Sequence, residues 1–235
     1  RFGGLINVYG YEFLAFAVHV FDYIDTHRVG IKSKNELLGI TGDVIFTKFA
    51  STRAEDKIDL ALLELNDDMK VALSGSRFLT VAEIDYSHVC NKKHANYTVI
   101  GFPATKNKLK YGSNKIKACI FAYTGNVADD DVFEALGITA NTHIAINFRK
   151  KKLRSTSGIV DAPDPYAMSG GGIWLNDNFS DHPSVYTPQT KLVGIAIEWH
   201  KRHNCIIGVS AGAIIEVLKG ACNIPELLPN EDLSQ

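Results

Sequence analysis

The chain has 235 residues, 46% of them hydrophobic and 22% charged, an ordinary globular composition that excludes a collagen, a coiled coil and a disordered chain. Lys and Arg number 25 against 26 Asp and Glu, a formal net charge of −1, so no global basic field gathers nucleic acid or an anionic membrane surface. No apolar run approaches the roughly 18 residues of a membrane span, and a chain of this size buries about three quarters of its unfolded surface without needing a disulfide or metal staple.

From the N-terminus, short apolar runs rich in branched and aromatic residues succeed one another, with Gly, Asn, Asp or Lys between them. They cover residues 5–8, 13–18, 44–49, 60–65 and 77–81. A polar stretch from Ser87 to Asn96, containing Asn91-Lys92-Lys93-His94, is expected to link two β-rich halves. The series then resumes at 97–102, 115–123, 143–148, 172–175, 192–197 and 206–209. About eleven strands at this spacing, with few helices between them, predict an all-β chain of sandwiches or barrels and not βαβ units. Two helices are expected. Asp129 to Leu136 opens on three aspartates and stops at Gly137, and Ala211 to Lys219 carries Ile214, Ile215, Val217 and Leu218 ahead of Gly220. The expected organisation is an N-terminal half over 1–86, a C-terminal half over 97–220 and a tail over 221–235.

Cys90, Cys119, Cys205 and Cys222 form no C-x-x-C. They read as buried thiols, which places the chain in a reducing, cytoplasmic compartment.

Three polar residues in apolar or glycine-rich settings are candidates for chemistry. His19 ends the run Phe13 to Val18, where a histidine is either a satisfied core residue or a catalytic one. Asp59 enters the apolar run Leu60 to Leu63; it either caps a strand towards water or is half-buried and needs a partner. Ser169 precedes Gly170-Gly171-Gly172, which is either a plain turn or the close backbone approach that an exposed nucleophile and an oxyanion site require.

The order His, Asp, Ser, with separations of 40 and 110 residues, resembles the trypsin/chymotrypsin-like serine proteases. In that family the histidine segment reads T-A-A-H, the aspartate opens D-[IL]-A-L and the serine lies in G-x-S-G-G. The corresponding segments here are Phe16-Ala17-Val18-His19, Asp59-Leu60-Ala61-Leu62 and Ala167-Met168-Ser169-Gly170-Gly171. Gly101-Phe102-Pro103 is similar to the G-[YF]-P of bacterial members, and Leu192 to Ile197 resembles the L-x-G-I-V strand that follows the nucleophile. Other Ser-His-Asp folds use different chain orders.

The resemblance implies two antiparallel β-barrels with a C-terminal helix and peptide-bond hydrolysis through an acyl-enzyme, with no cofactor and no metal. It implies Ser169 as nucleophile, His19 as base, Asp59 as the orienting carboxylate, and the backbone N–H groups of Ala167 and Ser169 as the oxyanion hole. The substrate is expected to be a protein or peptide, with neither nucleic acid nor membrane as a partner. Departures from the pattern are specific. Ala167 stands where the family has glycine, which implies a strained oxyanion loop. Met168 replaces the aspartate of animal digestive members, so activation by pairing with a new N-terminus is not expected. Val20 replaces a disulfide cysteine, as in bacterial relatives. Only 18 residues precede His19, so the strand that opens the first barrel is expected to be missing. These departures admit a second reading, a weak or inactive binding module, and a third, a protease that a regulatory partner or upstream domain activates. The substrate pocket is expected at Pro163, Asp164, Ile197, Glu198 and Trp199; Asp161 and Asp164 either attract a basic side chain or, as turn aspartates beside prolines usually are, are simply solvated.

Three further clusters have plain readings. His200, His203 and Cys205 form H-x-x-H-x-C, expected as a hairpin tip in preference to a zinc site. Arg149 to Arg154 is expected as a charged strand end, and Asp129 to Asp131 as a helix start.

Overall fold

The computed structural model describes residues 4–23, 30–33, 36–47, 55–90, 96–106, 119–156, 158–176 and 190–222. The Asn91 to His94 stretch, most of the expected tail and residues 115–118 lie outside the described residues. In chain order the first half contributes β1 (Gly4–Val8), β2 (Tyr11–Ala17), β3 (Gly30–Ser33), β4 (Glu36–Gly39), β5 (Gly42–Phe46), β6 (Leu60–Leu65), α1 (Asp67–Ala72) and β7 (Leu79–Thr80). The second half contributes β8 (Asn96–Gly101), β9 (Phe121–Asn126), α2 (Asp130–Leu136), β10 (His143–Asn147), β11 (Leu153–Ser155), β12 (Gly158–Val160), β13 (Gly172–Asn176), β14 (Thr190–His200), β15 (Cys205–Ser210) and α3 (Ala211–Cys222). The expectation of an all-β chain with a C-terminal helix holds.

Five strands of the first half form one sheet in the order β5-β6-β2-β1-β7, antiparallel except for β1 beside β7. Strand β6 pairs on both sides and buries Leu60, Ala61, Leu62 and Leu63 almost completely, which is why its sequence reads as a continuous apolar run. The second half forms a six-stranded sheet in the order β10-β15-β14-β13-β8-β9. Its two edges meet. Val127, just past β9, bridges Ile146 of β10, and the Ala128 N–H donates to the Ala145 carbonyl at 2.8 Å. The sheet therefore curls until its two edges touch at this one point. Strand β8 alternates half-buried and buried positions, so Tyr97 and Val99 enter the core.

The two sheets share one hydrophobic core. Strand β2 packs on β14, and a small apolar cavity between them is lined by Ile6 and Ala15 from one side and Leu192, Ile195, Ala211 and Ile214 from the other. Helix α3 packs on β14 and β15, and the buried Ser210 hydroxyl accepts from the Ala213 N–H at 3.2 Å at its start.

Two sequence expectations are corrected here. The strand expected at 115–123 begins at Phe121 and runs to Asn126, because antiparallel pairing with β8 fixes both its ends, from Gly101↔Phe121 to Asn96↔Asn126. A helix absent from the sequence reading, α1, starts on Asn66, whose side chain accepts from the Met69 N–H at 3.0 Å.

Candidate active site

Antiparallel pairing of β2 with β6 places Ala17 opposite Leu60. The residue two beyond the end of β2 therefore lies beside the residue one before the start of β6, and these are His19 and Asp59. The Val18 N–H donates to the Asp59 carbonyl at 2.9 Å and extends the ladder by one step. Beyond it the Asp59 carboxylate takes two bonds. Oδ1 accepts from the His19 backbone N–H at 2.9 Å, and Oδ2 lies 2.6 Å from His19 Nδ1. An ionised carboxylate only accepts, so Nδ1 carries a proton, and in the neutral ring the lone pair is on Nε2. The side chains are 31% exposed for His19 and 16% for Asp59: the carboxylate is sheltered while the ring still meets solvent. Asp59 holds φ at 42°, a left-handed conformation that aspartate tolerates better than most residues. Such outliers persist where surrounding structure over-determines them.

Ser169 lies in the turn that enters β13. The Met168 N–H donates to the Pro165 carbonyl at 3.0 Å, the Gly170 N–H to Ala196 at 2.6 Å and the Gly171 N–H to Met168 at 2.9 Å, while the Ala196 N–H donates back to Gly171 at 2.7 Å. Two N–H groups in this run, those of Ala167 and Ser169, donate to no acceptor among the described residues. They are the pair that the resemblance nominates for an oxyanion. Strand β14 thus does two things: its Ala196 pins the serine turn, and the strand packs on β2, which leads to His19. His19 and Asp59 are in direct contact, whereas no hydrogen bond among the described residues joins Ser169 to His19.

The first two glycines after Ser169 have separate reasons. Gly170 sits at φ 90°, beyond easy reach of a side chain. A Cβ on Gly171 would lie 2.4 Å from the Ile100 carbonyl oxygen and 2.9 Å from that of Met168, both backbone atoms. Gly171→Ala is therefore expected to displace the turn, costing about 3 kcal/mol as overpacking and, if Ser169 is the nucleophile that the resemblance implies, about 100-fold in its reactivity. Urea denaturation and the labelling rate of the serine check the two parts. Ala167 holds φ at 70°, the strained conformation implied by the missing glycine. Ala167→Gly relieves a left-handed cost of about 1–2 kcal/mol against a gain of unfolded-chain entropy of about 0.5–1 kcal/mol. The expected outcome is a Tm unchanged or slightly raised, with no loss of serine reactivity.

No family model matches the chain. No curated protein matches it in sequence either. Solved structures are similar to it over most of its length. The scabies mite inactivated protease paralogue S-I1 has a TM-score of 0.48 at 16% identity, over 94% of this chain and 87% of its own. A Glu endopeptidase has a TM-score of 0.48 at 13% identity, over 94% and 89%. The serine protease domain of the Sesbania mosaic virus polyprotein has a TM-score of 0.43 at 10% identity, over 89% and 79%. With TM-scores below 0.5, these likenesses assign no role to any residue here.

The residues expected to form the substrate pocket are engaged in different ways. Asp164 Oδ2 lies 3.2 Å from Lys150 Nζ and its Oδ1 accepts from the Tyr166 N–H at 3.2 Å, while Asp161 Oδ1 accepts from the Lys152 N–H at 3.1 Å. These aspartates tie their own loop to the basic run. Pro163 is half-buried, Ile197 is buried and Glu198 is exposed. Trp199 stands edge-on to Phe148 with centroids 6.2 Å apart. The H-x-x-H-x-C cluster is a hairpin tip: His200 ends β14, Lys201–His203 form one turn of 3-10 helix, and Cys205 opens β15. Among the described residues no group of three metal-ligating side chains converges. Burial, with a further push from Glu198, raises the Cys205 thiol to about 11.

Sequence reasoning passed over one residue beside this site. His143 opens the apolar strand β10 with the same signature that marked His19, a histidine bounding an apolar run. It is 2% exposed, and its Nε2–H donates to the Lys57 carbonyl at 2.8 Å, two residues before Asp59. Burial holds its ring below the ordinary 6.5; the bond to the Lys57 carbonyl pulls it up, and the Lys57 charge lowers it. A histidine depressed in the fold takes its proton first in the unfolded chain. Its contribution to stability is therefore intact above pH about 6.5 and is lost as pH falls below that value towards the lowered native one. Urea midpoints measured between pH 7.5 and 5 are expected to fall, with a smaller slope in His143→Gln.

Proposed function

We propose that this chain is a serine endopeptidase that cleaves peptide bonds in protein or peptide substrates through an acyl-enzyme. One observation carries the reading: the Asp59 carboxylate bonds both His19 Nδ1 and the His19 backbone N–H, which orients the ring and, in its neutral form, puts the free lone pair on Nε2. In this reading Ser169 Oγ attacks the scissile carbonyl as His19 Nε2 takes its proton. Asp59 stabilises the resulting imidazolium. The N–H groups of Ala167 and Ser169 receive the oxyanion, each donor worth roughly 3 kcal/mol in the transition state. His19 then protonates the leaving amine, the C–N bond breaks, and water activated by the same ring releases the acyl group.

A second reading is favoured by the lack of a Ser169–His19 hydrogen bond together with the strained Ala167: the same fold with little turnover, serving as a binding module or awaiting a partner that tightens the serine turn. A fluorophosphonate probe with peptide mapping by mass spectrometry separates these. Phosphonylation confined to Ser169, with robust cleavage of a peptide library, supports the endopeptidase and removes the second reading. No phosphonylation of the native chain would overturn the proposal.

A further inference from the structure

We infer that His143 is a positioning residue for the His19–Asp59 pair, acting from the second sheet through the carbonyl of Lys57. The inference rests on the peptidase reading for its catalytic consequence, and on geometry alone for the positioning.

Asp59 must hold a left-handed φ of 42° while its carboxylate makes two bonds. Aspartate tolerates that state but does not prefer it, so neighbouring structure has to impose it. On one side the β2–β6 ladder does so, through the Val18 N–H. On the other side the chain from Asp56 to Asp59 is held locally, where Asp56 accepts from Thr47 Oγ1 at 3.0 Å and from the Ile58 N–H at 3.2 Å, and at Lys57 from across the molecule. The Lys57 carbonyl accepts from His143 Nε2, and Lys57 Nζ donates to the carbonyls of Leu136 and Gly137 at 3.0 and 2.9 Å. These carbonyls end α2, where helix carbonyls lack internal partners and a cation is favoured. Gly137 is left-handed at φ 59°, and a Cβ there would stand 2.4 Å from Lys57 Nζ, so the glycine makes room for the ammonium. The segment before the catalytic aspartate is thus clamped at two points by one connection, residues 136–143.

His143 is built to act as a fixed donor. Its Nδ1 lies 2.8 Å from Thr142 Oγ1, which is itself 3.0 Å from Thr139 Oγ1. A carbonyl only accepts, so Nε2 carries the proton, and Thr142 donates to Nδ1. The ring is buried and neutral, and it opens a strand whose register with β15 starts at His143↔Val209. It therefore references the aspartate to the barrel that also carries Ser169, 86 residues away in sequence from its Lys57 partner.

The test compares His143→Leu, which removes the donor, with His143→Gln, whose amide nitrogen reaches about where Nε2 lies. The readouts are fluorophosphonate labelling at rising probe concentration and the His19 Nδ1–H resonance in nitrogen-15 spectra. His143→Leu is expected to lower the limiting labelling rate roughly tenfold, short of the hundredfold that about 1 Å of misplacement costs. The half-saturating concentration stays unchanged, the His19 resonance moves upfield or is lost to exchange, and His143→Gln restores both. A folded His143→Leu with wild-type rate and resonance overturns the inference, as does an effect on half-saturation alone. If His143→Leu does not fold, His143→Asn serves, since its shorter amide misses the Lys57 carbonyl; the same losses are expected and their absence is equally decisive. A wild type that takes no phosphonate removes the peptidase reading, while the resonance still decides the positioning.

Discussion

Ser169→Ala is expected to lower kcat on a cleavable peptide by about 10^6-fold and to abolish phosphonate labelling, with the fold intact. The substitution removes one oxygen from a half-buried turn residue and leaves the four backbone bonds around it in place, so thermal stability should move by no more than about 0.5 kcal/mol. The backbone donors of Ala167 and the residue at 169 also survive, and a residual rate of about 10^3-fold or more over water is expected from them and from substrate binding. The three side chains act as one unit in the proposed chemistry, so the effects do not add. Ser169→Ala combined with His19→Ala should cost no more than Ser169→Ala alone. Labelling that persists after Ser169→Ala would move the nucleophile elsewhere, and additive losses in the double variant would mean that serine and histidine never cooperate.

How much of this was legible in the sequence differs by kind of contact. Strand β6 could be read because burial on both faces leaves a run, Leu60 to Leu63, with no polar interruption. Helix α2 could be read because its start and stop are local chemistry: acidic residues in the first turn and a left-handed Gly137 whose N–H returns to Glu134. Helix α1 carried an equally local signal, Asn66 before Asp67 and Asp68, hidden by its short length of six residues. The pairing of His19 with Asp59 was legible only through resemblance. Forty residues separate them, and nothing local to either fixes the β2–β6 register that joins them. The clamp from His143 and Lys57 was not legible at all, because a backbone carbonyl is its acceptor and every residue has one. The positive φ of Asp59 is likewise invisible in sequence, since aspartate is ordinary at a strand entry. The bonds of the two loop aspartates were not legible either. Asp164 meets the Lys150 side chain and Asp161 the Lys152 backbone N–H, and neither partner is marked by the pattern around the aspartates.

Asp59→Asn is expected to reduce kcat by about 10^4-fold while leaving stability nearly unchanged. The reason lies in which of the two carboxylate bonds an amide can replace. Asparagine tolerates a left-handed φ as aspartate does, and its oxygen can take the place of Oδ1, accepting the His19 backbone N–H now held at 2.9 Å. The loop therefore keeps its shape. At the Oδ2 position, now 2.6 Å from His19 Nδ1, the amide presents an NH2 group that donates. Nδ1 must then accept, the ring proton moves to Nε2, and the nitrogen meant to receive the serine proton no longer has a lone pair free. Asp59→Ala acts differently: it removes both acceptors, leaving the His19 N–H unpaired in a part-buried position at a cost of about 1–3 kcal/mol. Kinetics and urea denaturation on both variants separate tautomer control from loop building. A large kcat loss at native stability in Asp59→Asn, set against losses of both in Asp59→Ala, is the result expected if the carboxylate sets the proton. If Asp59→Asn keeps its activity, or loses it only in step with stability, the carboxylate merely shapes the turn and His19 is no general base.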